Sequence, residues 1–201
     1  ILSSLFFTKD GIFNLNLLES ISQFESTYNI IKAKEFVGSD FYKLNDMSVF
    51  YKYLLKIQEK KVLNYDEDFK FFKTHSGNFS IENNPFTSEE NIRGLIYIIR
   101  DPRDVCISWA NHTGKSFDQS INFMCNELQS LLWIKGKNNP FEYQNMPASF
   151  LSSWDKHVKS WTSINWRFPF LVIKFEDLVY KKKETIRFIC NFFIDKYGFK
   201  F

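Results

Sequence analysis

Lys73 and His75 stand at the end of a short aromatic-rich run that begins at residue 69, and both side-chain types can support group transfer. Side chains on a strand alternate between its two faces, so these two residues share one side, roughly 7 Å apart, and Thr74 faces the other. A histidine can take a proton near neutral pH, and a lysine beside it can neutralise charge on a transferring group. We therefore take His75 and Lys73 as candidate catalytic residues. The alternative is a surface lysine beside a loop histidine that bonds only to the backbone.

Arg100 and Ser108 form a second candidate pair, which follows the continuous apolar run at 94–99. An aspartate and a proline come directly after the arginine, as at many helix starts, and the helix would carry Ser108 about two turns in. The planar fork of an arginine can donate two parallel hydrogen bonds to a phosphate, and a serine hydroxyl can add a third. The pair is a candidate phosphate site. The alternative is a capping arrangement in which Arg100 pairs with Asp104.

The elements that must position these residues alternate along the chain. The sequence predicts helices at 1–7, 46–60, 101–112, 117–134, 149–163 and 176–197, strands at 69–74, 94–99 and 170–174, and loops at 76–87 and 135–147. This order implies an α/β fold with a central parallel sheet flanked by helices, and the strand at 94–99 is typical of one buried on both faces. Ligands of such sheets bind at the carboxyl ends of the strands, so we expect both pairs at one edge.

Bulk composition narrows the function class. The 201 residues suit one domain, and a net charge of +3 is too small to indicate a nucleic-acid-binding protein. The three cysteines form no C-x-x-C, so we expect no zinc or redox site, and an odd number of thiols favours a reducing, cytoplasmic compartment. No apolar run approaches the roughly 18–20 residues that a membrane span needs, and the sequence has no recognisable signal peptide.

The helix predicted at 149–163 carries aromatic residues whose spacing indicates its buried face. Trp154 and Trp161 are seven positions apart, so they share one side and are expected in the core. His157 follows Lys156 and is expected to be exposed.

Several of these segments together resemble the PAPS-dependent sulfotransferases, where PAPS is 3′-phosphoadenosine 5′-phosphosulfate. The segment Tyr97–Ser108 is similar to the 3′-phosphate-binding segment of that family, and Phe72–His75 is similar to its catalytic strand end. The helix Trp154–Trp161 and the strand Leu171–Leu178 resemble its later helix and Tyr-Glu-Asp-Leu strand. The matches occur in the family's order over residues 71–178.

The resemblance implies a P-loop-like α/β core and a role for each matched residue. His75 would be the general base, Lys73 would steady the bridging oxygen of the leaving group, and Arg100 and Ser108 would hold the 3′-phosphate. The implied reaction moves a sulfuryl group in line from PAPS to a hydroxyl or amine, with no metal, and leaves 3′,5′-ADP. The implied acceptor is a small molecule or a glycan.

The sequence departs from the family pattern in three places. The P-x-x-G-x-x-W loop that holds the phosphosulfate is expected upstream of Ile1, and no R-K-G-x-x-G-D segment follows Phe201. Phe175 stands where the family has a tyrosine, so an adenine contact there lacks the hydroxyl. We therefore expect residues 1–201 to be a partial sulfotransferase domain, truncated at both ends.

Two other functions remain open from the residues alone. The chain could be a non-catalytic or truncated nucleotide-binding homologue. It could also be a P-loop-type kinase, which needs G-x-x-x-x-G-K-[S/T] and an acidic metal ligand. Neither feature occurs in the sequence, although such a loop could lie upstream of Ile1.

Overall fold

The computed structural model describes residues 2–8, 12, 15–25, 27–44, 46–63, 70–131 and 149–200. Its α-helices are α1 Leu2–Phe7, α2 Thr27–Lys32, α3 Lys34–Val37, α4 Met47–Ile57, α5 Lys60–Leu63, α6 Pro102–Thr113, α7 Phe117–Cys125, α8 Trp154–Thr162, α9 Phe175–Tyr180 and α10 Lys182–Tyr197. Two 3₁₀ helices span Leu15–Ser20 and Gly38–Lys43. The strands are β1 Ser22–Gln23, β2 Phe72–Lys73, β3 Ser80–Ile81, β4 Asn84–Pro85, β5 Leu95–Ile99, β6 Ser130–Leu131, β7 Ser149–Phe150 and β8 Phe170–Lys174. The predicted loop at 135–147 lies outside the described residues.

Parallel pairing dominates the strands that carry the candidate residues. β5 pairs in parallel with β8 over five residues, from Leu95 opposite Phe170 to Ile99 opposite Lys174. β1 pairs in parallel with β2, and β3–β4 and β6–β7 are antiparallel pairs. Because parallel neighbours need a crossover connection, helices α6 to α8 lie between β5 and β8 along the chain. The predicted α/β class is confirmed.

Side chains on the two faces of β5 pack against two different cores. Leu95 and Tyr97 pack against a first core that contains the buried face of α4. Ile96, on the other side of the strand, packs against a second core that contains Ile189 and Phe193 of α10. The alternation of side chains along β5 therefore joins two cores through one strand.

The start of α6 follows from its own residues. The Asp101 carboxylate accepts a hydrogen bond from the Arg103 amide, and Pro102 occupies the first helical turn. The helix ends at Thr113, and the following Gly114 takes a left-handed conformation with φ of 67°. The predicted helix is confirmed, and it extends one residue beyond the expected end.

Two predicted helices are wrong in extent. The segment expected to be helical at 149–163 begins as strand β7 and becomes helical only at Trp154. The segment expected at 117–134 ends its helix at Cys125 and continues into β6. β6 and β7 pair with each other, so a contact between distant residues replaced the local helical preference at both places.

The expectation that the strand at 94–99 is buried on both faces is also wrong. Ile98 is 53% exposed, and among the described residues β5 pairs only with β8. The continuous apolar composition of the run therefore does not correspond to complete burial.

We predict that the first core supplies much of the folding free energy. Leu54 on α4 is fully buried, so Leu54→Ala should lower the free energy of unfolding by about 2–5 kcal/mol through lost burial and a residual cavity. Lys52 on the same helix has a 63% exposed side chain, and Lys52→Ala should change that free energy by less than about 1 kcal/mol. Urea unfolding followed by tryptophan fluorescence measures both, and equal losses would contradict the assignment of the core.

Candidate functional site

Lys73 and His75 lie at the carboxyl end of β2. Both residues are accessible to solvent, whereas Thr74 between them is half-buried and its hydroxyl donates to the Glu25 carboxylate. The Lys73 carbonyl accepts a hydrogen bond of 2.7 Å from the Phe24 amide, which extends the β1–β2 pairing. The strand end therefore presents a lysine and a histidine together and turns the intervening threonine inward.

The surroundings of His75 lower the pKa of its imidazole and so favour the neutral form. Partial burial is the largest cause of a lowered pKa, and the positive charge of Lys73 lowers the pKa further. The negative charge of Glu25 acts in the opposite direction. A neutral histidine is the form that can accept a proton.

Helix α8 holds the backbone that follows β2. His157 Nε2 lies 3.0 Å from the His75 carbonyl oxygen, and Trp161 Nε1 donates to the Ser76 carbonyl oxygen at 3.1 Å. Ser160 Oγ accepts a hydrogen bond of 2.9 Å from the Asn78 amide. The loop after β2 is therefore fixed through its main chain, which leaves the His75 side chain available.

His157 is bonded through both ring nitrogens. Its Nδ1 lies 3.0 Å from the Tyr97 hydroxyl, and because its Nε2 faces a carbonyl, Nε2 carries the proton and Nδ1 accepts from the tyrosine. Burial lowers the pKa of His157 and raises the pKa of Tyr97 to about 12. The expected exposure of His157 is wrong. The signal that could have found it is its spacing of three from Trp154 and four from Trp161, which places it on their buried face.

Arg100 comes directly after β5, and its guanidinium lies over the Phe175 ring at 4.6 Å. Its Nε is buried and has no hydrogen-bond partner among the described residues. The alternative pairing with Asp104 is not formed, since no carboxylate of the described chain forms an ion pair with Arg100. The neighbouring Asp101 pairs with Arg103. The sequence interpretation missed this stack on Phe175.

Ser108 lies on an exposed face of α6, with no hydrogen bond to Arg100 among the described residues. The two are linked through the backbone only: Arg100 comes directly after β5, and α6 begins two residues after Arg100. Ser108 lies six positions after Pro102 along the helix, which is a rise of about 9 Å.

Glu176 joins the ends of the two long parallel strands. Its Oε1 accepts a hydrogen bond of 2.9 Å from the Asp101 amide, and this bond is the largest cause of its lowered pKa. Glu176 follows Phe175 in α9, so the bond fixes the ring that lies beneath Arg100. This hydrogen bond therefore connects the residues that follow β5 and β8 at the candidate phosphate site.

The described part of the chain contains neither a metal-binding cluster nor a helix that could span a membrane. No group of three or more histidine, cysteine, aspartate or glutamate side chains there is arranged to hold a metal ion. No helix there has the length and apolar character needed to cross a membrane.

Comparison with known proteins identifies one family and several related sequences. The Sulfotransferase domain family matches residues 12–196. Sulfotransferase 2A6 of Mus musculus is 31% identical over 102 residues, which make up 49% of this chain and 30% of that protein. Sulfotransferase 2A1 of Macaca fascicularis is 26% identical over 132 residues, 66% of this chain and 41% of that protein.

A third relative, the 3-beta-hydroxysteroid sulfotransferase of Cavia porcellus, is 29% identical over 104 residues, 49% of this chain and 30% of that protein. The matched segment covers less than half the length of each of these relatives. The family match, by contrast, extends over nearly the whole chain and includes both candidate pairs. On this basis the chain belongs to the sulfotransferase domain family.

Proposed function

We propose that the protein is an enzyme that transfers a sulfuryl group from PAPS to a hydroxyl or amine of an acceptor. The observation that carries this proposal is the arrangement at the end of β2, where an accessible His75 with a lowered pKa stands beside Lys73. Membership of the sulfotransferase family supports the same reaction.

In the proposed reaction, His75 takes the proton of the acceptor hydroxyl while the acceptor oxygen forms a bond to sulfur. The bond between that sulfur and the bridging oxygen of the 5′-phosphate breaks. Lys73 neutralises the charge that develops on the bridging oxygen. The products are a sulfate ester and 3′,5′-ADP, and the proton on His75 then passes to solvent from the accessible strand end.

Arg100 and Ser108 are proposed to hold the 3′-phosphate of the nucleotide. The unpartnered, buried Nε of Arg100 supports this role, because a buried donor without an acceptor is unfavourable until an anion satisfies it. Phe175 beneath the guanidinium keeps its plane fixed, which suits two parallel hydrogen bonds to a phosphate. Ser108 adds a hydroxyl donor from α6.

The proposed acceptor is a hydroxyl-bearing small molecule or glycan. The loop after His75 contains Phe79, whose ring packs 5.2 Å from that of Phe150. Gly77 lies directly beneath this pair, where an added Cβ would clash with the Phe79 ring. Aromatic side chains in the loop that follows the proposed base favour an acceptor with an apolar body. The name of the Cavia porcellus relative gives a hydroxysteroid as the acceptor of that protein.

The test is turnover of the full-length protein with radiolabelled PAPS and a panel of hydroxylated acceptors. We expect a labelled sulfate ester and 3′,5′-ADP to form in equal amounts. Binding of 3′,5′-ADP without turnover on any acceptor would favour the non-catalytic homologue. Transfer of phosphate from ATP in its place would favour the kinase.

A further inference from the structure

Glu25 is a buried carboxylate without a cationic partner. It lies two residues after β1, is 0% exposed, and forms no ion pair within the described ranges of the chain. Its Oε1 accepts hydrogen bonds from the hydroxyls of Thr74 and Ser76, at 2.5 and 2.6 Å. Its Oε2 is buried and has no hydrogen-bond partner among the described residues. Burial of a carboxylate without a cationic partner costs free energy of folding. A role in function would explain why a carboxylate occupies this position.

The two donors to Glu25 flank His75 on either side. Thr74 and Ser76 are also joined to each other, because the Ser76 amide donates to the Thr74 hydroxyl at 2.9 Å. A single carboxylate oxygen therefore fixes the residue before and the residue after the proposed base. Helix α8 holds the carbonyls of the same segment from another direction, so Glu25 completes the support of this turn.

Glu25 also contributes a negative charge beside the proposed base. Within the described part of the chain, the charged or titratable groups that act on His75 are Lys73 on β2, His157 on α8 and Glu25 after β1. Among them only Glu25 favours a positive charge on the imidazole. Its field also reaches Tyr51 of α4, where burial and then the negative charge of Glu25 raise the pKa of the phenol. Charges act strongly in such a core because its effective dielectric constant is low.

We propose that Glu25 is a positioning residue of the transfer site, which holds the turn that presents His75 and stabilises the imidazolium formed when His75 takes the acceptor's proton. This inference rests on the proposed function. It assigns the carboxylate a part in the reaction without direct contact with either substrate, since it is fully buried.

The test removes the negative charge of Glu25 and keeps the shape of its side chain. Glu25→Gln retains an oxygen that can accept hydrogen bonds and removes the negative charge, and Glu35→Gln makes the same change on the exposed face of α3. Because Glu25 raises the pKa of His75, its removal lowers that pKa. We therefore expect the acid limb of the kcat–pH profile to move to lower pH in Glu25→Gln, with kcat reduced roughly tenfold. Affinity for 3′,5′-ADP should stay unchanged, and Glu35→Gln should match the wild type.

A second measurement separates this inference from the proposed function. The chain has three histidines, so the ring signals of His75 can be assigned by NMR and titrated in wild type and variants. A lower pKa of His75 in Glu25→Gln, with the wild-type value restored in Glu25→Asp, is the expected result. An unchanged pKa in an active enzyme would overturn the inference and leave the function standing. If the wild type shows no turnover but the pKa of His75 still falls in Glu25→Gln, the proposed function is rejected. The electrostatic effect of Glu25 on His75 would still stand.

A merely structural role would give another result. Glu25→Gln would then lower thermal stability, kcat and nucleotide affinity together, with no displacement of the acid limb. That outcome would also overturn the inference.

Discussion

Replacing His75 with alanine is expected to reduce sulfuryl transfer by about 10²- to 10⁴-fold, the usual contribution of a general base. The turn should keep its shape, because α8 holds His75 through its carbonyl oxygen and Glu25 holds the residues on either side. Binding of 3′,5′-ADP should therefore remain at the wild-type level. Steady-state turnover and calorimetric titration of the same preparation measure the two quantities.

The matched control is His112→Ala. His112 is an exposed histidine in the last turn of α6, and its loss should leave kcat unchanged. Turnover of the His75 variant within a factor of a few of the wild type would reject the assigned base.

The wild-type pH profile belongs to the same prediction. Burial and the charge of Lys73 lower the pKa of His75, so at a pH where an ordinary histidine, with a pKa of about 6.5, is half protonated, more than half of His75 is in the neutral form that can act as the base. We expect kcat to rise with pH through a midpoint below that value, and we expect this limb to be lost in His75→Ala.

Arg100→Ala is expected to weaken 3′,5′-ADP binding by about 10- to 100-fold, since a charged hydrogen bond to phosphate is worth about 1.5–3 kcal/mol. Arg100→Lys should recover only part of the affinity, because a lysine has neither the planar fork nor the same stacking on Phe175. Calorimetry with 3′,5′-ADP and with 5′-AMP distinguishes the contact. Only the ligand with a 3′-phosphate should lose affinity.

The control for this prediction is Arg103→Ala, a change to a neighbouring arginine whose side chain is 86% exposed and paired with Asp101. It should leave both affinities within a factor of about two, because a surface ion pair contributes little. Equal weakening of 3′,5′-ADP and 5′-AMP by Arg100→Ala would contradict a role at the 3′-phosphate.

The segment from β5 into α6 was predictable because its signals are local. An apolar run of strand length, an aspartate cap, a proline in the first turn and a terminal glycine act on adjacent residues, and each occupies its expected place. The same holds for α4, where Asp46 accepts a hydrogen bond from the Ser48 amide at the predicted start. Strand β8 also matches its predicted bounds, 170–174.

Elements that depend on distant partners were not predictable in this way. Strand β1 consists of two residues and exists because it pairs with β2, some fifty positions later. The β6–β7 pair likewise interrupts two segments whose composition favours helix. A single sequence does not identify the distant strand with which a short segment will pair.

The candidate site also has features that the sequence predicts and features that only the folded structure shows. The sequence by itself determined the family, the α/β class and the four candidate residues, because spacing along one strand end and one strand–helix junction specifies which side chains appear there. Only the tertiary structure decided what supports them: His157 beneath the loop, Phe175 beneath Arg100, and Glu25 between Thr74 and Ser76. These partners come from separate elements, and a hydrogen bond or a ring contact exists only when folding brings its two groups within a few ångströms.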